Sequence, residues 1–286
     1  MNIGDGAESW VRRGRIKLHF AHDGARTSLA RNFASYPFHV TRPFYFDAAW
    51  PDLPTVVLQS ASGGLFQGDR LSIEISVGEG ASVQVTSQSA MKIHSMERDH
   101  AVQEAHLKIE RNGYLEVIAD PAILFPDSTV ETMTMIELDQ GASAILAESF
   151  FWHDPKGGVA PNFSLASTAI EVRDSAGRLL MKDRYRVTRP DPDPATTADW
   201  QAMKGQGTVY VLCQTHSGAA LVEGLRSALG GSGHGYVGVS VLPNEAGAFV
   251  RVLASDVNVI HKVLARACRA ARRLVVGRDT RLTWRK

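Results

Sequence analysis

Apolar and polar positions alternate through the first two thirds of the chain. Ile73, Ile75 and Val77 alternate with Ser72, Glu74 and Ser76. Val83 and Val85 repeat the period of two, as do Leu107 with Ile109 and, more loosely, Thr132, Thr134, Ile136 and Leu138. A period of two turns successive side chains to opposite faces, so each run predicts a half-buried strand. Gly78, Gly80, Gly113 and Gly141 stand at the breaks between runs.

Those breaks carry an internal repeat. Ile73 to Val85, Leu107 to Val117 and Met135 to Leu146 each read strand, polar residue, glycine, two residues, strand. Their centres are Glu79-Gly80-Ala81-Ser82, Asn112-Gly113-Tyr114-Leu115 and Gln140-Gly141-Ala142-Ser143. A recurrence at about thirty residues suits stacked β-hairpins or solenoid-like coils, and an ordinary β-sandwich with similar turns fits as well.

Composition changes between Thr188 and Thr208, where Pro190, Pro192 and Pro194 interleave with Asp191 and Asp193 before Gly205 and Gly207. This stretch reads as a linker or long loop over 188–208, dividing a β-rich region (1–187) from a closing α+β region (209–286) that packs on it, and the two are also compatible with one continuous domain. The closing region reads β-α-β-β-α: Val209 to Cys213 extended, Ser217 to Leu229 helical, Val237 to Leu242 and Phe249 to Leu253 extended, Asp256 to Val275 helical.

Ser217 is a natural N-cap for the first helix and Gly230 a stop; Leu221, Val222, Leu225 and Leu229 share one side. On the second helix Ile260, Val263, Leu264, Ala267, Ala271 and Leu274 form the apolar face. Lys262, Arg266, Arg269 and Arg273 form the opposite one, either a solvated surface or a contact for an acidic partner. The fold class expected is therefore mainly β with two α-helices: stacked β-hairpin or solenoid-like layers plus a C-terminal β-α-β-β-α segment.

Composition narrows the function classes. The 286 residues hold 31 Lys plus Arg against 30 Asp plus Glu, a net charge of +1, which argues against a general nucleic-acid or membrane electrostatic role. Cys213 and Cys268 are far apart and neither belongs to a Cys-x-x-Cys pair, so no disulfide framework or zinc ribbon is expected. The opening residues, Met1 to Arg15, have no signal-like apolar core, and no stretch reaches membrane-spanning length. A cytoplasmic location is the expectation.

No Gly-x-Ser-x-Gly elbow, His-Glu-x-x-His helix or phosphate loop occurs, so an NTPase is not expected. Gly233, Gly235 and Gly238 spell Gly-x-Gly-x-x-Gly but follow a helix and enter a strand, the reverse of the nucleotide-binding order, and read as a flexible loop. His94, His100 and His106, with Glu104, lie around a polar turn. A transient metal site and a solvated surface are the two readings there, the surface favoured. Cys213 and His216 form a Cys-x-x-His pair that lacks the further ligands of a closed site. The densest feature is Ser62-Gly63-Gly64-Leu65-Phe66-Gln67-Gly68-Asp69-Arg70, whose glycines imply positive φ angles or close backbone approach and deliver Asp69 at a strand mouth.

That stretch resembles the Gly-Gly-x-x-x-Gly-Asp signature of the urease accessory protein UreD (UreH) family. Gly14 to Phe20 and Arg26-Thr27-Ser28-Leu29 resemble its opening, and Tyr36-Pro37-Phe38-His39-Val40-Thr41-Arg42-Pro43 its Pro-Leu-x-Val-x-Arg-Pro run. Gly80-Ala81 to Lys92 and Leu115 to Phe125 resemble later segments, and Val250-Arg251-Val252-Leu253 with Arg281 and Trp284 the end. The segment Trp152-His153-Asp154-Pro155-Lys156-Gly157-Gly158-Val159 departs from the family's Gly-Arg-x-x-x-Gly-Glu, which leaves the choice of partner open.

The resemblance implies a largely β, non-enzymatic chaperone that binds apo-urease and joins UreF and the GTPase UreG to insert nickel, held transiently and with no stable cofactor. It further implies that Gly63, Gly64, Gly68 and Asp69 form the signature loop and that Asp69, Glu148 and Glu171 lie in or near an interior nickel passage. The alternatives are a β-rich protein-binding scaffold without a metal role and, with less support, a hydrolase using Asp69 and Glu148 as an acid/base pair.

Overall fold

The repeated glycine turns are the corners of a coil. In the computed structural model, which describes residues 11–157, 162–188, 203–230 and 235–279, β5 (Arg70–Val77) and β6 (Ser82–Ser87) flank the first turn without pairing with each other. β5 instead runs parallel to β8 (Ala101–Ile109), and β8 to β11 (Thr129–Leu138). On the other side of the turns β6 runs parallel to β9 (Tyr114–Ile118), and β9 to β12 (Ser143–Trp152). The corners also bond to one another, Gly80 N–H to Arg111 C=O at 3.0 Å and Asn112 N–H to Gln140 C=O at 3.1 Å. Of the arrangements open to the sequence, solenoid-like stacking is therefore the one adopted.

Two sheets result. The first has seven strands in the order β14-β13-β11-β8-β5-β1-β2, with β1 at Arg13–His22, β2 at Thr27–Ala34, β13 at Leu165–Asp174 and β14 at Leu179–Thr188. The second has ten strands, with the main path β16-β17-β15-β12-β9-β6-β4-β3. Here β3 is Phe38–Val40, β4 Thr55–Ser60, β15 Gly205–Cys213, β16 Tyr236–Val241 and β17 Gly247–Ala254; the short β7 (Met91–Ile93) and β10 (Ala122–Leu124) pair beside β12.

The helices α1 (Gly218–Leu229) and α2 (Val257–Val276) cover the outer face of the ten-stranded sheet, making a third layer. Ser217 caps α1 by accepting from the Ala220 amide at 3.3 Å, Gly230 ends it at φ 60°, and Asp256 caps α2 through the Asn258 amide at 2.8 Å. The closing β-α-β-β-α order is thus as expected. β15 pairs with β12 along its whole length, so the closing region continues the second sheet.

The linker read over 188–208 needs amendment at its end. Residues 189–202 lie outside the described residues, but Gly205 to Thr208 are strand β15 and fully in register with β12 and β17. The glycines there have a packing reason: a Cβ on Gly207 would stand 2.8 Å from Ile260 Cγ2 and 3.0 Å from Leu264 Cδ1, so their absence lets α2 sit close on the strand. Gly233, Arg281, Trp284, Gly158 and Val159 also fall outside the described residues, whereas Gly238, read as part of a loop, lies inside β16.

Three apolar clusters hold the layers together. One fills most of the space between the sheets, another fills the opposite end of that space around Leu65, Leu71, Ile93, Leu124 and Trp152, and the third lies between the ten-stranded sheet and the helices. No helix among the described residues is long and apolar enough to cross a membrane.

Candidate functional site

A polar layer separates the two apolar clusters between the sheets. On four strands of the seven-stranded sheet the inward-facing residues pass from one cluster to the other through a polar position: Gln103 between Ala101 and Leu107, Thr132 between Val130 and Ile136, Thr168 between Ala166 and Ile170, Tyr185 between Val187 and Met181. Gln103, Thr132, Thr168 and Tyr185 are direct neighbours in register and form one row. On the facing sheet the matching row is Glu148, Thr208 and Arg251, with Glu148 between Leu146 and Phe150.

The rows meet. Tyr185 Oη donates to Glu148 Oε1 at 3.0 Å, and Thr132 Oγ1 to Thr168 Oγ1 at 3.1 Å. Arg251 Nη2 reaches Asp183 Oδ2 at 2.6 Å, Arg251 Nε donates to Thr208 Oγ1 at 3.3 Å, and Tyr210 Oη donates to Asp183 Oδ2 at 2.6 Å. The Arg251 guanidinium also lies 5.0 Å from the centre of the Tyr185 ring.

Gln206, one pleat from Thr208 on the same face of β15, is 8% exposed, and its amide nitrogen has no hydrogen-bond partner among the described residues. An amide so buried normally has a partner, so the layer holds an unused donor.

Burial raises the Glu148 carboxyl to about 7, with Asp183 adding to the rise and the Tyr185 hydroxyl and Arg251 opposing it. Near neutral pH this carboxyl therefore stands between its neutral and its charged form. The Tyr185 hydroxyl is pushed up by the same burial and by Glu148, so it remains a donor.

Asp69 occupies a different place. It is 1% exposed, ahead of β5, and its carboxylate is closed on both oxygens: Arg12 Nε donates to Oδ1 at 2.8 Å, Arg12 Nη2 pairs with Oδ2, and the Phe66 amide donates to Oδ2 at 2.8 Å. Gly63, Gly64 and Gly68 have φ of 69°, 149° and 81°. At Gly64 a Cβ would meet the Lys92 carbonyl oxygen at 2.4 Å, so the loop's approach to β7 requires glycine there. Phe66 stacks on His94, with centroids 4.2 Å apart, and the Arg12 guanidinium lies 4.7 Å from the centre of the same Phe66 ring.

Glu171 lies on the outer face of the seven-stranded sheet, paired with Lys182 at 2.9 Å and Arg173 at 2.7 Å, which hold its carboxyl below the ordinary range. Asp69, Glu148 and Glu171 are therefore not brought into one group. Nor are the histidines: β7 and β8 belong to different sheets, so no hairpin joins them. His100 pairs with Asp99 at 3.1 Å ahead of β8, and His106 is six residues further on, roughly 20 Å along an extended strand. Among the described residues no three His, Cys, Asp or Glu side chains are placed to hold a metal ion. Cys213 is buried with its sulfur 3.4 Å from His216 Nδ1. On α2, Lys262, Arg266, Arg269 and Arg273 are all exposed, as read from the sequence.

Comparison with known proteins decides the family. The UreD urease accessory protein family matches residues 12–285. The chain belongs to the UreD family. It is 37% identical over 250 residues to urease accessory protein UreD 1 of Methylorubrum extorquens (strain PA1), covering 86% of this chain and 82% of that one. UreD 1 of Bradyrhizobium sp. (strain BTAi1) is 36% identical, with 84% and 83% covered. UreD 1 of Pseudomonas syringae pv. syringae (strain B728a) is 32% identical, with 93% of each chain covered. The matched span takes in the signature loop, the polar layer and both helices, so all three belong to this UreD protein's family portion.

The family resemblance singled out Glu148 but none of its neighbours. The signal was present: Gln103, Thr132, Thr168 and Glu148 are polar residues standing in the apolar phase of alternating strands. Asp183, Tyr185 and Arg251 carried no such mark, because they come from edge-proximal strands whose alternation is mixed.

Proposed function

We propose that this UreD-family chain is a nickel-insertion scaffold for urease, working in the cytoplasm on apo-urease with UreF-like and UreG-like partners, and that nickel passes as cargo through the polar layer between its sheets. Family membership supports the urease accessory role. One observation carries the passage: Glu148, a carboxyl raised to about 7, stands in a continuous row of hydroxyl, amide and carboxyl groups between two apolar clusters. A carboxylate that releases its proton near neutrality offers a transient oxygen ligand, and hydroxyl and amide oxygens add weak ones, which suits passage better than storage.

Of the other two carboxylates the resemblance singles out, Asp69 is engaged by Arg12 and the Phe66 amide in the signature loop, and Glu171 is ion-paired on the outer face of the seven-stranded sheet, so this passage runs through neither. The competing reading, a protein-binding scaffold that never touches metal, draws on the Asp69 carboxylate being fully engaged by Arg12 and the Phe66 amide.

The test is co-expression with UreF-like and UreG-like proteins and apo-urease at limiting and at excess nickel, with complex assembly followed by size exclusion. Glu148→Gln is expected to lower urease nickel content at limiting nickel while the complex still assembles. Unchanged nickel content with an intact complex would favour the metal-free scaffold.

A further inference from the structure

Among the described residues the two sheets end in five edge strands, and four are protected against pairing with another chain. β14 carries Lys182, Arg184 and Arg186 and a register shift, β2 carries Arg31 and faces a bulge in β1, and β3 and β7 are only three residues long. Charges, bulges and shortness are the usual devices that keep an edge from recruiting a strand. β16 has none of them. Its sequence, Tyr236-Val237-Gly238-Val239-Ser240-Val241, is uncharged, free of proline and rich in β-branched residues, with Tyr236 60% and Val241 49% exposed.

Its outer edge is met by one hydrogen bond among the described residues: Arg226 of α1 donates from Nη2 to the Val239 carbonyl at 2.9 Å. That bond fixes the orientation of the backbone. A residue whose carbonyl faces away from β17 also turns its amide away, and the period of two extends this to Val237 and Val241. The edge thus presents a row of strand-pairing groups, with a side chain standing in at the position a neighbouring strand's N–H would take.

We propose that β16 is a docking strand for another protein, taking an extended, β-branched segment that carries one carboxylate for Arg226. Addition of a strand supplies the donor that Arg226 now provides, and the released guanidinium is then an exposed cation beside the new strand. A carboxylate there completes a charge-assisted pair. A second copy of the chain fits less well. Two-fold pairing of β16 with itself about Val239 brings two Arg226 side chains to one place on the same side of the extended sheet, a like-charge contact. This inference rests on the sheet topology and is independent of any metal role.

Hydrogen exchange on the full chain tests it, using as probes two soluble capped peptides of alternating threonine and valine, one with a central glutamate and one with a central lysine. With the glutamate peptide at about ten times its Kd, exchange at the Val237, Val239 and Val241 amides slows about tenfold. The lysine peptide protects far less. Val239→Pro removes an outward amide without touching the ladder to β17, so it abolishes protection while the protein stays folded, with a small loss of thermal stability from the packing of Val239 against the helix-side cluster. Arg226→Gln keeps a donor for the Val239 carbonyl but removes the preference for glutamate. Absence of protection with either peptide overturns the proposal, and equal protection by both overturns the carboxylate. Protection that rises with protein concentration alone, with doubled mass, assigns the edge to a second copy and overturns it too.

Discussion

Arg12 grips Asp69 with two nitrogens, Nε on Oδ1 at 2.8 Å and Nη2 on Oδ2, while the Phe66 amide donates to Oδ2 at 2.8 Å. The carboxylate of the family signature is thereby a structural pin as well as a charge: it ties the residues before β1 to the glycine loop before β5. Asp69→Asn replaces one accepting oxygen by a donor and removes the charge. It should cost about 1.5–3 kcal/mol of stability, the usual range for hydrogen bonds to charged groups. Asp69→Ala also strands the Phe66 amide and should cost about 1–3 kcal/mol more. Urea midpoints of the two variants check this; an Asp69→Asn midpoint equal to that of the parent would mean the pin bears no strain of the fold.

Glu148 predicts a pH dependence of defined sign. Its folded carboxyl titrates at about 7 against an ordinary value of 4.5, so between those values the folded state binds more protons than the unfolded one, and stability falls as pH rises through that window. The unfavourable contribution is absent below about pH 4.5 and complete above about pH 7, on the order of 3 kcal/mol. Glu148→Gln keeps an oxygen to accept from Tyr185 and has no proton to lose. Urea unfolding at pH 5 and pH 8 should find the variant equal to the parent at the lower pH and more stable at the higher one. A parent stability that does not decline between these values, relative to the variant, would contradict a buried neutral carboxyl.

The fold was legible where one period governed a segment. Alternation located β5, β6, β8 and β11, and the glycine-centred repeat located the starts of β9 and β12 and the coil corners, because each corner must reverse the chain in the same few residues. Pairing was not legible: hairpin and coil place the same residues on the same faces, and they differ only in whether β5 bonds to β6 or to β8. Asp69 stood out through its glycines and Glu148 only through the family resemblance, and Arg12 and Arg251, which set the surroundings of those carboxyls, arrive from distant parts of the chain. Arg272 was missed for a different reason. It follows Leu264 and Cys268 at intervals of four, in phase with the buried face of α2, yet the neighbouring Arg273 and Arg269 make it look like part of the basic side.

The face assignment of α2 gives a sharp contrast. Leu264 is 6% exposed against Gly207 of β15, whereas Arg269 faces solvent. Leu264→Asp buries an unpaired carboxylate and should abolish soluble folding, while Arg269→Glu should stay within about 0.5 kcal/mol of the parent. Gly207→Val should cost about 1–3 kcal/mol by pressing on Ile260 and Leu264. Soluble yield and thermal unfolding of the three variants report the outcome, and a folded Leu264→Asp beside an unfolded Arg269→Glu would reverse the assignment.

Beneath α2 the most enclosed charge in the protein makes the last prediction. Arg272 is completely buried, and its guanidinium donates from Nε to Glu116 Oε1 at 2.5 Å, pairs through Nη2 with Glu116 Oε2, and reaches Asp47 Oδ2 from Nη1 at 2.6 Å. Tyr114 Oη and Gln84 Nε2 donate to the same glutamate, so its oxygens are satisfied from several sides. The network joins the last helix to β9, β6 and the loop before β4, elements far apart in sequence. Removing one charge leaves the other uncompensated in an apolar surrounding, so Arg272→Met and Glu116→Gln should each cost about 3–5 kcal/mol. Replacing both removes the stranded charge, and the double variant should lose much less than the sum, leaving a coupling of about 2 kcal/mol or more, with residual cost from Asp47. Urea unfolding of the four proteins in the cycle measures it. Additive losses would mean that each residue acts through its own packing, and that the ion pair does not fix α2 on the sheet.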